Sequence, residues 1–315
     1  MTQNLQRCFW TITCALGILC ATQPSHAAAI VGSMQEAFDY PDTTQFGTLN
    51  GGQGWNGAGS TSPNDANANW GAILTSGSAP FRTATAPGLT YSATGYLPAS
   101  GNKLTLDGTT AVQNVGRLLG NQTIDTGSTY FSLLMSKNND TIRTMNWAFF
   151  NGTTERFAVG MIGATAGNSA GNIALLMNNS NPAGLIQSGS PIAMGIGVTH
   201  LMVGRIDWNA SGFETVSLWV DPTDVTTEAA AGTIYASTSA FELTAITGVR
   251  PFAGNAATVG GNPVAGVSAN FDEFRLGGTW ASVTSLPVVV PEPTTGVMAA
   301  LGFGLALVLR RRQSR

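Results

Sequence analysis

The chain has 315 residues, 43% of them hydrophobic and 10% charged, with 39 glycines and a formal net charge of −3. Charged residues fall far below the roughly 25% usual in soluble domains, and so much glycine favours strands and turns over helices. Five of the 14 basic residues (Arg7, Arg310, Arg311, Arg312, Arg315) sit at the two ends, so no nucleic acid partner is expected.

The first element reads as a secretory signal. Arg7 supplies a positive start, Cys8 to Ala21 is an apolar run, and Ser25-His26-Ala27 places small residues at the −3 and −1 positions, which predicts cleavage between Ala27 and Ala28. The run is shorter than the roughly 20 apolar residues of a spanning helix, which argues against an uncleaved anchor. All three cysteines, Cys8, Cys14 and Cys20, lie inside this segment. Its removal leaves a body with no thiol, so neither a disulfide framework nor a cysteine metal site is available to it.

Residues 28–285 follow, and their pattern is β throughout. Short alternating or apolar runs recur at Tyr130 to Met135, Met145 to Asn151, Arg156 to Ile162, Asn172 to Met177, His200 to Trp208, Glu214 to Val220 and Ala269 to Leu276. Turn chemistry separates them, as at Asn151-Gly152, Asn178 to Pro182 and Asn209 to Gly212. Many short strands with glycine-rich turns predict an all-β sandwich or barrel. In Glu214 to Val220, Val216, Leu218 and Val220 share one face and belong to the core, with Thr215, Ser217 and Trp219 opposite. Neither face of His200 to Trp208 is cleanly polar, which predicts a central strand of a two-layer sandwich, covered on its inner face and partly shielded on its outer one.

This body offers little chemistry. His200 is its only histidine once the leader is removed, no Gly-x-Ser-x-Gly elbow occurs, and zinc lacks ligands. Asp272 and Glu273 are adjacent, so regular strand geometry sends them to opposite faces and denies them the shared sugar that glycoside hydrolysis needs. Calcium is the one cofactor left open: Asp221 with Asp224, or Asp207 with Asn209, can offer loop oxygens, against a plainer reading of Asp221-Pro222-Thr223-Asp224 as a turn. Arg205, Asp207, Glu273 and Arg275 alternate on their strands and are expected to form structural cross-strand ion pairs. Trp55, Trp70 and Trp219 are the candidates for stacking on sugars, with packing as the competing role.

A linker (286–290) leads to the last element. Val290-Pro291-Glu292-Pro293-Thr294 holds two prolines that keep the chain extended, Val297 to Leu309 is apolar, and Arg310, Arg311, Arg312 and Arg315 close it. The 16 residues from Thr294 to Leu309 give roughly 24 Å of helix against a bilayer core near 30 Å, enough for a transient single-span inner-membrane anchor. The arginines are expected on the cytoplasmic side, leaving the body outside.

This end (291–315) resembles the PEP-CTERM sorting signal of Gram-negative bacteria, in its Pro291-Glu292-Pro293 motif, apolar helix and arginine cluster. The resemblance implies recognition by an exosortase, cleavage near the motif and delivery to the cell surface or extracellular polysaccharide matrix. Stretches of the body resemble LamG-like, concanavalin-type jelly-roll domains: Glu36-Ala37-Phe38-Asp39-Tyr40, Asn50-Gly51-Gly52-Gln53-Gly54-Trp55, His200 to Asp207, Val216 to Pro222 and Phe271 to Gly277. That resemblance implies two packed antiparallel sheets and, commonly, glycan or protein binding, sometimes with calcium. The expectation is a non-enzymatic exported protein of adhesive or glycan-binding role. A carbohydrate-active enzyme on the same fold and a purely structural matrix protein are the alternatives.

Overall fold

The apolar alternation around Tyr130 and Phe271 becomes two ten-residue strands at the centre of a large sheet in the computed structural model. The structure describes residues 34–285 apart from 47–48, 50–54, 56–69, 72, 77–80, 97–100, 120–124, 164–170, 178–183, 210–211, 242, 244, 255–256, 260–261 and 265. The expected signal peptide, linker and tail lie outside the described residues.

In chain order the strands are β1 (Met34–Glu36), β2 (Ile73–Ser76), β3 (Arg82–Thr85), β4 (Lys103–Asp107), β5 (Gln113–Leu118), β6 (Ser128–Lys137), β7 (Met145–Asn151), β8 (Thr154–Met161) and β9 (Ile173–Met177). They continue with β10 (Gly184–Ile186), β11 (His200–Asp207), β12 (Glu214–Val220), β13 (Ala236–Phe241), β14 (Gly248–Ala253), β15 (Ala257–Val259), β16 (Asn262–Val264) and β17 (Ser268–Gly277). A five-residue helix, α1 (Trp280–Thr284), comes last.

Two antiparallel sheets make the sandwich. The eight-stranded sheet runs β13-β12-β11-β6-β17-β4-β3, with β1 also on β17; the seven-stranded sheet runs β10-β9-β8-β7-β14-β5-β2. This is the predicted all-β jelly-roll sandwich, and each expected run falls on a strand. Alternation fills the space between the sheets: Phe131, Leu133 and Met135 from β6, Met202 and Ile206 from β11, and Val216 and Leu218 from β12 meet Trp147, Phe149, Phe157 and Val159. Phe149 and Phe157 are register partners on neighbouring strands and stack at 4.3 Å, while Trp147 of one sheet stacks on Phe274 of the other at 4.4 Å. Each such buried ring contributes about 1.5–3 kcal/mol through removal from water.

Two glycines are required by their surroundings. Gly152 turns the β7–β8 hairpin with φ +58, in the left-handed region open to glycine. On the inner face of β11, a Cβ at Gly204 would overlap the ring of Phe131, its register partner on β6.

The outer face of the eight-stranded sheet carries a third layer. Leu134, Leu201, Val203 and Trp219 point outward and are buried beneath Leu89 and Tyr96 of the segment between β3 and β4, Val225 after β12, and Trp280 and Val283 of α1. Thus β11 is buried on both faces, its outer one more fully than the partial shielding its sequence predicts. Trp280 Nε1 donates to the Val225 carbonyl at 2.8 Å, and Ser132 Oγ donates to the Val283 carbonyl at 2.5 Å. A capping box between Thr279 and Ser282 satisfies the helix start.

Candidate functional site

The three candidate sugar platforms are packing residues, a correction to the expectation for them. Trp55, Trp70 and Trp219 are 3%, 0% and 3% exposed. Trp70 stands edge-on to Trp147 at 6.1 Å, and its Nε1 donates to Glu36 Oε2 at 2.8 Å. Trp55 Nε1 donates to the Gln35 carbonyl at 3.1 Å, and the Arg117 guanidinium lies 4.0 Å over its ring. Arg117 in turn holds Glu36 at 2.6 Å, with both side chains buried. Burial drives the Glu36 carboxyl above its ordinary value against the opposing pull of Arg117, Trp70 and the Phe38 amide. The glycine-rich segment therefore supplies two indoles that line and seal a buried ion pair. Trp219 sits edge-on to Trp280 at 5.3 Å and donates to the Gly232 carbonyl at 3.2 Å, in the third layer.

The calcium candidates are engaged by protein donors. Asp221, held at φ 52, accepts the Leu201 amide at 3.0 Å through one oxygen and meets His200 Nδ1 at 2.7 Å through the other. His200 itself is buried at 4% exposure, consistent with a structural role at the start of its strand. Asp224 accepts both the hydroxyl and the amide of Thr226, at 2.6 and 2.9 Å, and these bonds hold its carboxyl below the usual range. Asp224 thus caps the short turn that follows it, and Asp221 caps the start of β11 instead of closing Asp221 to Asp224. Among the described residues no three His, Cys, Asp or Glu side chains gather where they could hold a metal.

The ion pairs also differ from the expected cross-strand arrangement. Arg205 bonds Asp207 at 2.9 Å, two residues along its own strand, and also Glu228 from the loop after β12. Arg275 bonds Glu273 at 2.8 Å, again within one strand.

A β-bulge overturns the geometry assumed for Asp272 and Glu273. The register of β17 against β6 shifts between Asp272 and Arg275, and Glu273 adopts φ 48. The extra residue places Phe271 and Phe274 both in the core and leaves Asp272, Glu273 and Arg275 together on the outer side. Asp272 accepts the amides of Leu89 at 2.7 Å and Glu273 at 2.8 Å. Glu273 accepts Arg275 and Gln35. Arg275 lies 5.3 Å over the Tyr96 ring, and burial pushes the Tyr96 phenol far above its ordinary value. Burial likewise drives Asp272 up to about 8, with the neighbouring Glu273 charge adding to it and the two amides and Lys103 opposing. Chemically this cluster stores a proton near neutral pH, but Asp272 is 0% and Glu273 1% exposed under the segment that carries Leu89. No sequence signal exposes a bulge at a non-glycine residue, so strand parity alone does not reveal the cluster.

The remaining candidates, Val290, Pro291, Glu292, Pro293, Thr294, Arg310, Arg311, Arg312, Arg315, Ala27 and Ala28, lie outside the described residues. Among the described residues no helix is long and apolar enough to cross a membrane. The described chain ends immediately after α1, where Val283 and Thr284 are buried and Ser285 caps the helix through the Ala281 carbonyl.

Residues 289–313 match the PEP-CTERM protein-sorting motif. No curated protein matches the chain. Among solved structures, alginate lyase Aly36B in complex with alginate trisaccharide is similar at 12% identity, covering 79% of this chain and 99% of that one with a TM-score of 0.46. Domain 4 of AbnA, an extracellular arabinanase from Geobacillus stearothermophilus in complex with arabinotriose, is 14% identical over 80% of this chain and 95% of that one, TM-score 0.39. Endo-β-1,4-glucuronan lyase from Trichoderma reesei is 13% identical over 60% of this chain and 85% of that one, TM-score 0.39. The sorting motif marks the chain as an exported protein directed to the cell envelope by way of an exosortase.

Proposed function

We propose that this is a surface or extracellular-matrix protein of a Gram-negative bacterium, anchored transiently in the inner membrane by Val297 to Leu309 and cut near Pro291. Its sandwich then acts without catalysis, by adhesion to extracellular polysaccharide. The observation that carries this reading is the sequence of parts in the tail, in which Pro291-Glu292-Pro293, the apolar run and Arg310 to Arg312 fall within the matched residues 289–313. Low charge and abundant small polar residues suit a body embedded in polysaccharide.

Mass spectrometry of the protein isolated from the surface of its native host tests the sorting step: a C-terminus near Pro291 is expected, and an intact Arg315 on the surface form refutes it. Pull-down on the host's own exopolysaccharide tests the adhesion, and failure to be retained there refutes that role.

A further inference from the structure

We infer that the outer face of the seven-stranded sheet binds an acidic polysaccharide, taking the polymer's carboxylates on Arg143, Arg156 and Arg250. This rests on the adhesion reading above and names the class of polymer and the surface that holds it.

Strand parity and one bulge assemble the face. Trp147, Phe149, Phe157 and Val249 point into the sandwich. Asn146 and Phe150 of β7, Arg156 of β8 and Arg250 of β14 therefore point away from it. The register of β7 against β8 shifts between Phe149 and Phe150, and this bulge brings Glu155 to the outer side as well. The Glu155 carboxylate accepts Arg250 Nη2 at 2.6 Å, and the Arg250 guanidinium lies 4.6 Å over the Phe150 ring. Arg143 precedes β7 by two residues. The one helix among the described residues lies over the larger sheet, not over this one.

Two observations point to an anionic ligand. The first is unmet hydrogen bonding. Nε of Arg156, Nε of Arg250, Nε and Nη2 of Arg143 and Oδ1 of Asn146 are buried with no partner in the protein, and Asn146 is only 3% exposed. Removing such groups from water without replacing the bond is costly, so four of these side chains at one sheet call for oxygens and hydroxyls from outside the chain. The second is charge. Residues 28–285 hold nine basic residues against sixteen acidic ones, a net charge of −7 that repels an anionic polymer. Glu155, however, is the one acidic residue in the seven strands of this sheet, and it is shared between the outward Arg156 and Arg250. A planar guanidinium forks onto a carboxylate with two parallel bonds, which fits uronate groups better than neutral sugars. From Arg143 to Phe150, beside Arg156, the chain runs about 23 Å, which suits a run of sugar units in place of a single one.

The test is co-sedimentation of the full chain, expressed in its native host, with that host's exopolysaccharide in two forms: native, and with its carboxylates reduced to alcohols by carbodiimide and borohydride. The wild type is expected to bind the native polymer, at least about tenfold more weakly after reduction, and less as salt shortens the Debye length. The double variant Arg143→Gln/Arg156→Gln breaks no hydrogen bond or ion pair of the protein, so its melting midpoint should stay level or rise while retention on the native polymer falls about tenfold. If that variant fails to fold, the reduced polymer decides with the wild type alone. Equal retention on native and reduced polymer, or wild-type retention by the folded double variant, overturns the site and leaves adhesion standing. A wild type that is not retained on the native polymer overturns the adhesion reading and the site with it.

Discussion

Removing the charge of Asp272 should change how stability depends on pH, with a size set by its burial. Its carboxyl is sealed beneath the Leu89 segment and raised from 3.8 to about 8. A raised carboxyl binds its proton more tightly in the folded state, so its contribution is fully present below pH 4 and is lost as pH rises through 8. Between pH 5 and pH 8 that loss is about 3–4 kcal/mol for a single group titrating at 3.8 unfolded and 8 folded. In Asp272→Asn the group cannot ionise, although the amide loses one of the two backbone donors at about 1–3 kcal/mol. Other carboxylates titrate equally in both proteins and cancel in the difference. Urea unfolding of the two proteins across this range should therefore find the wild type ahead at pH 5 and its advantage gone or reversed by pH 8. A difference constant within about 0.5 kcal/mol over the whole range would refute the reasoning.

Arg117→Met strands the Glu36 carboxylate in the core and should cost about 3–5 kcal/mol, read from the denaturant midpoint. Gly204→Ala should cost about 1–3 kcal/mol by pressing on Phe131, and a Phe131→Leu background should recover part of it in a double-mutant cycle. Trp219→Ala should destabilise by about 3–5 kcal/mol in thermal melts, while whatever protein remains folded is retained on polysaccharide as well as the wild type. Because Asp221 spends both oxygens and Asp224 one on protein donors, and no third carboxylate gathers with them among the described residues, calcium or a chelator should leave the melting midpoint unchanged in calorimetry.

The parts of the fold legible in the sequence are those where the two-residue period runs uninterrupted. In β12 the split of Val216 and Leu218 from Ser217 and Trp219 is read directly. In β5 it fails, because Arg117 occupies an inward position that only its distant partner Glu36 makes tolerable. In β14 the interior Pro251 argues against a strand between two others. The chain accommodates it because the ladder to β5 skips Arg250 and Pro251 while that to β7 continues. The aromatic candidates misled for a similar reason: Trp55 and Trp70 look isolated among Gly, Asn and Ser, yet their partners, Phe274 and Trp147, come from far along the chain. At the β17 bulge, a single left-handed Glu273 breaks strand parity and shifts Asp272 and its neighbours onto a shared side.

The strand made last by the ribosome, β17, is the one that ties the larger sheet together, with β6 along one edge and both β4 and β1 along the other. Met34 meets Leu276 there, so residues from the two extremes of the body must be present together before that sheet exists. A chain emerging N-terminus first can hold only fragments of it, and such long-range closure is slow. The larger sheet therefore closes only once nearly all of the body has been synthesised.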